Sequence, residues 1–224
     1  MHDKKYCYPN SNILINKKNI INAKELLEAE VLYTGIRLME LQQTPIKGNF
    51  DLKHLCRIHK YIFQDLYSWA GKIRTIDIGK GNIFCFVQNI YAYAEEIFEK
   101  YYPSCYAAKD SREAFVEVLT SNYADLNALH PFREGNGRTQ REFACEICLR
   151  CGYVFDLSCT THKEMLDASI LSFNKADNTK LLRIFEQAVI PMGDYDKTDS
   201  SFLNILTTDD LDIEDVANSY EYYE

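Results

Sequence analysis

The stretch HPFREGNGRTQR, at residues 130–141, holds one histidine, one glutamate, one asparagine, two glycines and three arginines in one short segment. It follows an apolar run that ends at Leu129 and precedes a helical pattern that begins near Thr139. Its histidine can accept a proton near neutral pH, and its glutamate can coordinate a magnesium ion through oxygen. Its two glycines let backbone N–H groups approach an anion at the start of the next helix. The segment therefore predicts a phosphate site at a helix N-terminus.

Two of the three arginines of this segment, Arg138 and Arg141, lie one helical turn apart, so both guanidinium groups can face one phosphate chain. A plain turn between two helices needs the glycines, but it needs neither the histidine nor both arginines. The segment resembles the signature of the Fic family, His-x-Phe-x-(Asp/Glu)-Gly-Asn-Gly-Arg-x-x-Arg, and matches it at every defined position. A glycine-rich loop alone would be weak support, whereas a match over the whole signature is specific.

The resemblance implies transfer of AMP from ATP to a tyrosine, threonine or serine hydroxyl of a target protein. His130 would deprotonate the hydroxyl, and Glu134 would coordinate Mg²⁺ between the α- and β-phosphates. The glycines and the asparagine would stabilise the α-phosphate, and the arginines would hold the β- and γ-phosphates. Phe132 would anchor the loop in the core. The predicted phosphate-binding residues are Gly135, Asn136, Gly137, Arg138 and Arg141.

A β-hairpin is predicted at about residues 73–87, where a glycine-rich cluster separates two β-prone runs, 73–78 and 83–87. This region resembles the segment that leads into the flap of Fic proteins. A two-stranded hairpin is marginal alone, which suits a flap that pairs with an extended target segment. A plain surface hairpin is the alternative. The predicted target-docking residues are Gly79, Lys80, Gly81, Asn82, Ile83 and Phe84.

The fold is predicted to be mainly α, a Fic-type helical bundle with one small hairpin. Asn22 is the predicted N-cap of the first helix, with Glu25 completing a capping box. The resemblance to Fic proteins covers residues 5–192, so residues 1–193 are predicted to form one Fic domain. Helical patterns occupy residues 20–42, 51–69, 89–101, 111–129, 139–151, 161–174 and 178–189.

Residues 194–224 form a predicted acidic tail, with ten acidic residues against Lys197 alone. The whole chain has a net charge of −8, so residues 1–193 carry a net charge of +1. The tail is predicted to be disordered or loosely docked, and the alternative is the beginning of a further structured part. Its charge argues against nucleic acid as the main ligand, because phosphate binding needs a basic face.

Composition also bears on where the protein works. No apolar run reaches the roughly 18–20 residues needed to span a bilayer, and no charged-then-apolar leader opens the chain. Eight scattered cysteines favour a reducing compartment. The cytoplasm is predicted, with delivery into another cell as an effector left open. The spacing Cys145-x-x-Cys148-x-x-Cys151 lacks the fourth ligand of an iron–sulfur site, since Phe155 stands there, and predicts buried core thiols instead.

Fic enzymes are often restrained by a helix carrying (Ser/Thr)-x-x-x-Glu-(Gly/Asn), whose glutamate pairs with the last arginine of the signature. The spacing occurs once, from Thr160 to Glu164, and Met165 follows instead of glycine or asparagine. Thr161 and Glu164 are better explained as a helix capping box. We therefore expect either a separate small antitoxin-like protein that supplies a glutamate to Arg141, or an unrestrained effector.

Three classes of function remain open from the sequence. The first is AMP transfer, and the second is another phosphate-containing transfer, as in a kinase-like relative. Gly137 and the second arginine favour AMP transfer, because that relative has lysine in place of the glycine and lacks the arginine. The third is a non-catalytic binding module, which has no need of a general base. The remaining helical histidines, His54, His59 and His162, are predicted to be helix-face residues without a catalytic role.

Overall fold

The structure is a computed structural model that describes residues 5–80 and 82–195. The predicted tail therefore lies outside the described residues, except for its first two positions. Within the described part the chain forms a mainly helical bundle with two small antiparallel sheets, which confirms the predicted fold class. The helices are α1 (Ala23–Gln43), α2 (Leu52–Phe63), α3 (Ile90–Ala108), α4 (Arg112–Leu129), α5 (Asn136–Arg150), α6 (His162–Lys175) and α7 (Thr179–Ala188).

Helix starts are set by side-chain caps, which satisfy backbone N–H groups that have no partner inside the helix. The Asn22 side chain accepts from the Glu25 N–H at 3.1 Å, so the predicted N-cap of α1 is confirmed. At the start of α6, Thr161 and Glu164 form both bonds of a capping box, as predicted. Glu164 is thus engaged in starting its own helix.

Helix α4 is the centre of the bundle and packs against α3, α5, α6 and α7. Helix α2 fills the other side of α5 and also contacts α1. The ring of Phe143 on α5 is fully buried and meets Phe50, Phe98 and Tyr101 edge-on. Because α4 and α5 are both held in the core, the loop between them, residues 130–135, is fixed at both ends.

The observed helix ends differ most from the predicted ones at the C-termini of α2 and α3. Helix α2 ends at Phe63 rather than at residue 69, because the Phe63 carbonyl accepts from the N–H groups of Leu66 and Tyr67 and turns the chain. Helix α3 was predicted to end before Pro103 but continues through it. Tyr101 and Cys105, four residues apart, are both fully buried, and their packing outweighs the one hydrogen bond that proline removes.

A further difference, at the N-terminus of α5, matters most for the site. Helix α5 begins at Asn136, three residues earlier than predicted, so Gly137 and Arg138 lie in its first turn and not in a loop. The Gly135 carbonyl accepts from the Thr139 N–H at 3.1 Å and from the Thr139 hydroxyl at 2.8 Å. These two bonds start the helix directly after Gly135.

The predicted hairpin exists, but its strands are shorter than the predicted runs. Strand β1 (Gly79–Lys80) pairs antiparallel with β2 (Asn82–Ile83), and Gly81 lies outside the described residues. Before β1 the chain bonds to other segments, since the Arg74 N–H donates to the Pro131 carbonyl at 2.9 Å. The sequence reading missed a second sheet, in which β3 (Tyr153–Phe155) pairs with β4 (Val189–Pro191). Three-residue strands are too short to show a clear alternation.

Two cysteines of α5 pack in the hydrophobic core. Cys148 is fully buried and Cys145 half-buried, and burial raises the pKa of both thiols well above the usual value. This agrees with core thiols on α5. Among the residues that the structure describes, no helix is long and apolar enough to cross a membrane.

A buried acidic pair on α5 faces α2 and the segment before it. The His54 Nε2 lies 2.9 Å from the Glu146 carboxylate, and both side chains are almost fully buried. His54 is therefore not a plain helix-face residue, because it bridges α2 to α5. One turn earlier on α5, Glu142 is also buried, and burial together with the Glu146 charge raises the pKa of Glu142 to about 8.

The raised pKa of Glu142 predicts a pH dependence of stability. The folded chain holds a proton on Glu142 up to about pH 8, whereas the unfolded chain releases it near the usual value of 4.5. Folding therefore binds a proton between these values, and the free energy of unfolding falls as pH rises, by at most about 1.4 kcal/mol per pH unit. We expect Glu142→Gln to gain stability relative to the wild type from pH 5 to pH 8.

Urea unfolding at several pH values between 5 and 8 measures this difference. Glu99→Gln, at an exposed position on α3, is the matched control and should follow the wild-type profile. Parallel profiles for Glu142→Gln and the wild type would show that Glu142 titrates normally in the folded chain.

Candidate active site

The backbone of the signature segment makes two left-handed turns. His130 caps the C-terminus of α4 with φ 44° and ψ 59°, and its N–H donates to the Leu126 carbonyl at 3.3 Å. Gly135 precedes α5 with φ 78°, a conformation that glycine adopts without strain. Between these turns the loop of residues 130–135 runs directly from His130 to the N-terminus of α5. Backbone N–H groups at such a helix start attract anions.

The His130 ring is held in a defined tautomer and orientation. Its Nδ1 lies 3.1 Å from the Asn127 carbonyl, which can only accept, so the proton lies on Nδ1 and the Nε2 lone pair can serve as a base. Phe84 of the flap stacks on the His130 ring at a centroid distance of 3.7 Å and an interplanar angle of 8°. On its other side Phe84 stacks on Phe173 of α6, at 4.5 Å. The flap thus positions the predicted base.

Arg74 joins the two ends of the flap to the loop of residues 130–135. It is almost fully buried, and its guanidinium donates to the His130 carbonyl at 2.9 Å and to the Ile76 carbonyl at 2.8 Å. It also donates to the Cys85 carbonyl. These carbonyl groups accept the hydrogen bonds of a buried cation. The Asp77 carboxylate lies 3.7 Å from the guanidinium. Burial lowers the pKa of the Arg74 guanidinium. The sequence reading did not identify this residue.

Stacked rings form the floor of the loop. His59 lies between Phe132, at 3.9 Å, and Phe63, at 4.7 Å, and all three side chains are fully buried. The His59 Nδ1 accepts from the Gly71 N–H at 2.7 Å, so its Nε2–H donates to the Glu134 carbonyl at 3.0 Å. Burial lowers the pKa of His59 to about 3, which keeps the ring neutral. His59 was predicted to be a helix-face residue, but it supports the signature loop from below.

Asn136 braces the loop through its side chain. Its Oδ1 accepts from the Phe132 N–H at 2.9 Å, and its Nδ2 donates to the Phe132 carbonyl at 2.8 Å. The predicted role for Asn136 was phosphate binding. In the structure both polar atoms of its side chain bond the Phe132 backbone. Only the backbone N–H of Asn136, at the start of α5, is thus left for phosphate binding. Phe132 itself is fully buried, as predicted.

Glu134 is half-buried at the entrance to α5. Its carboxylate accepts from the Gly135 N–H at 2.8 Å, and Oε1 lies 3.7 Å from the Arg138 guanidinium. Arg138 has a closer partner in Glu30 of α1, with Nη2 and Oε2 2.7 Å apart. The Tyr67 hydroxyl donates to the other oxygen of Glu30. The sequence reading assigned no role to Glu30 or Tyr67.

The Glu30 and Arg138 side chains, which form the ion pair, are largely buried. Burial raises the pKa of Glu30, whereas the Arg138 guanidinium opposes that shift. Burial and the Glu30 charge raise the pKa of Tyr67 well above its usual value, so the hydroxyl stays protonated and donates. The Arg138 guanidinium also lies 4.8 Å from the centre of the Phe63 ring, in a cation–π contact.

Arg141 lies one turn further along α5 and is half-buried. Its guanidinium passes close to Gly137, where an added Cβ would meet Nη1 at 3.3 Å. In residues 5–80 and 82–195, no carboxylate lies within 4.0 Å of Arg141. Arg141 therefore lies on the helix whose N-terminus follows the signature loop, and an internal carboxylate pairs with Arg138 instead.

The flap is tied to α6 at its tip. The Asn82 side chain donates to the Asn174 side chain at 2.7 Å, beside the stack of Phe84 on Phe173. No single-sequence signal marks contacts between residues about ninety positions apart, such as these.

A histidine in a defined tautomer opens the loop that leads to a helix N-terminus followed by two arginines, an arrangement that suits the binding of anionic groups. Residues 49–148 match the model of the Fic/DOC family. A protein of Sinorhizobium fredii named probable protein adenylyltransferase y4lH is 39% identical over 170 residues, which cover 75% of this chain and 87% of that protein. The chain belongs to the Fic/DOC family.

Two further relatives extend the comparison. Protein adenylyltransferase VbhT of Bartonella schoenbuchensis is 38% identical over 169 residues, but the match spans only 35% of VbhT. The N-terminal Fic domain of a VirB-translocated effector of Bartonella quintana, solved with bound ADP, is 28% identical with a TM-score of 0.76. That match covers 83% of this chain and 94% of the solved chain.

The close approach of Phe63 to Gly135 predicts a steric cost for any side chain there. A Cβ at Gly135 would lie 2.1 Å from the Phe63 ring, whereas a Cβ at Gly152, which also has a positive φ, would meet nothing within 4 Å. We expect Gly152→Ala to lower the free energy of unfolding by about 1 kcal/mol through backbone strain alone. Gly135→Ala should lose about 1–3 kcal/mol more through overpacking.

Urea unfolding of the two variants measures this difference, and Phe63→Leu in the Gly135→Ala background should recover part of the additional loss. Equal losses at the two glycines would show that Phe63 does not hold the loop.

Proposed function

We propose that the protein is a protein adenylyltransferase, which transfers AMP from ATP to a hydroxyl group of a target protein. The observation that carries the proposal is that His130, with its proton on Nδ1, opens the loop that leads into the N-terminus of α5, the helix that carries Arg141. Relatives at 38–39% identity are named protein adenylyltransferases, and a solved relative binds ADP.

In this reaction His130 acts as the general base. Its Nε2 takes the proton of the target hydroxyl while the hydroxyl oxygen attacks the α-phosphorus of ATP. The bond between the α-phosphorus and the bridging oxygen breaks, and pyrophosphate leaves with the electron pair. The hydrogen bond from Nδ1 to the Asn127 carbonyl stabilises the imidazolium that forms.

The phosphates would be bound at the start of α5. The backbone N–H groups of Asn136 and Gly137 lie in the first turn, where they lack intrahelical partners and can stabilise charge on the α-phosphate. Arg141 would hold the outermost phosphate, because Gly137 leaves open the space beside its guanidinium. Arg138 would meet the β-phosphate while it remains paired with Glu30.

Glu134 would hold Mg²⁺. Magnesium in nucleotide sites is bound by one or two carboxylates together with substrate phosphates and water, and Glu134 offers one carboxylate beside the phosphate site. The described residues contain no group of three or more His, Cys, Asp or Glu side chains arranged for a metal, so the phosphates would complete the coordination. When bound, the ion would neutralise charge on the phosphates.

Target recognition would take place along the flap. An extended target segment can pair with the backbone of residues 79–83, by β-augmentation, and so bring its hydroxyl to His130. Phe84 links the flap to the base, since it stacks on the His130 ring. Residues 1–193 would form this one domain, with residues 194–224 as its acidic tail.

Regulation and location are further parts of the proposal. A separate protein that supplies a glutamate to Arg141 would compete with the nucleotide, and Arg141 has no such partner among the described residues. The similarity to a translocated effector of Bartonella quintana supports delivery into another cell as an alternative to action in the cytoplasm of the producing cell.

Label transfer into a cell lysate tests the proposed reaction. ATP labelled at the α- or γ-phosphate is incubated with the wild type, with His130→Ala and with His162→Ala, a control at the far end of α6 from the flap contacts. We expect protein label from the α position only. Loss of the general base should lower the rate by about 10²–10⁴-fold in His130→Ala, and His162→Ala should match the wild type.

The other outcomes are informative. Label from the γ position would indicate a kinase-like transfer. Absence of label from both positions, with protein that is free of any co-purified partner, would favour a non-catalytic binding module.

A further inference from the structure

We propose that Glu30 is a positioning residue that holds the Arg138 guanidinium in the orientation needed to meet the β-phosphate. The inference rests on the proposed function and concerns the same site. Glu30 lies on α1, 108 residues before Arg138, and outside the signature segment. It acts through Arg138 and does not itself contact the nucleotide.

Both oxygens of the Glu30 carboxylate have a donor. Oε2 accepts from the Arg138 Nη2 at 2.7 Å, and Oε1 accepts from the Tyr67 hydroxyl. One turn along α1, the Thr34 Oγ1 lies 3.3 Å from the Arg138 Nη1. The Thr34 hydroxyl in turn donates to the Glu30 carbonyl at 2.7 Å. Two nitrogens of one guanidinium are thus held by neighbouring positions of a single helix, which fixes the plane of the group.

A second carboxylate competes for the same guanidinium. Glu134, the residue proposed to hold Mg²⁺, lies 3.7 Å from the Arg138 Nη2, whereas Glu30 lies 2.7 Å from it. Without the charge on Glu30, the Arg138 guanidinium would be drawn to the Glu134 carboxylate, which lies 3.7 Å away. Glu30 therefore keeps the arginine oriented and also keeps Glu134 available for its metal.

A purely structural role for Glu30 would be to attach α1 to α5. Buried ion pairs often contribute little to stability against an apolar replacement, so the pair alone does not decide between the two roles. The roles differ in what they do to ligands. Loss of a structural contact affects all nucleotides alike, whereas loss of Arg138 orientation affects only nucleotides that carry a β-phosphate.

Nucleotide binding by the full chain provides the test. Calorimetry measures the affinity of the wild type and of Glu30→Gln for ATP, ADP and AMP, with folding checked by circular dichroism. We expect the affinity for ATP and for ADP to fall about tenfold in Glu30→Gln, because a charge-assisted contact to phosphate is weakened, and the affinity for AMP to change less than about twofold. Equal weakening for all three nucleotides, or no weakening, would overturn the proposal.

A double-mutant cycle shows whether Glu30 acts through Arg138. In the Arg138→Ala background, Glu30→Gln should leave the affinity for ATP unchanged, since the group that it orients is absent. A full further loss of about tenfold in that background would mean that Glu30 acts by another route. Thr34→Val, which has nearly the same shape, removes the contact to Arg138 Nη1 together with the hydrogen bond to the Glu30 carbonyl, and should weaken ATP binding about two- to threefold while sparing AMP. It carries the test if Glu30→Gln does not fold.

This outcome is separable from that of the proposed function. If the wild type binds ATP with a contribution from Glu30 but transfers no α-label to protein, the proposed reaction fails while the positioning role stands. If the wild type transfers label and Glu30→Gln binds ATP, ADP and AMP as the wild type does, only the positioning role fails.

Discussion

The close approach of the Phe63 ring to the Gly135 backbone is the contact on which the rest of the site depends. Gly135 takes a left-handed turn directly against that ring, and any side chain there would overlap it. Because interiors are closely packed, the loop cannot move toward α2, and α5 must start immediately after the glycine. The position of the α5 N-terminus, and thus of its free N–H groups, follows from this packing.

Three buried polar groups hold the remaining parts of the loop. His59 bonds the Glu134 carbonyl from below, Arg74 bonds the His130 carbonyl from the side of the flap, and Glu30 binds the Arg138 guanidinium from α1. Each is removed from water and has its hydrogen bonds satisfied by protein groups, so each is costly to displace. The signature loop and the start of α5 are therefore held in place by the protein itself, as the proposed electrostatic stabilisation of a developing charge requires.

The sequence predicted the parts of this arrangement that are local. Helical periodicity and caps identified the seven helices of the described residues, including the N-cap Asn22, and the signature segment predicted the family. The predicted helix ends were wrong where packing between residues distant in sequence determines the end of the helix. Helix α3 continues through Pro103 because Tyr101 and Cys105 are both buried, and no local pattern reports that burial.

Contacts between residues far apart in the sequence could also not be predicted from the sequence. Arg74, His59 and Glu30 support the signature segment from positions 56 to 108 residues away, and in the sequence each looks like an ordinary charged or helix-face residue. Asn136 shows the same limit inside the signature, since its side chain braces the Phe132 backbone instead of facing an anion. Pairing partners of this kind need an alignment or a structure.

The most direct test of a preformed site is a crystal structure of the protein with Mg²⁺ and a non-hydrolysable ATP analogue. We predict that the backbone of residues 130–141 is unchanged, that the phosphates contact the N–H groups at the start of α5, and that Arg138 keeps its bond to Glu30. A loop that rearranges around the nucleotide, with Gly135 moved away from the Phe63 ring, would contradict the account.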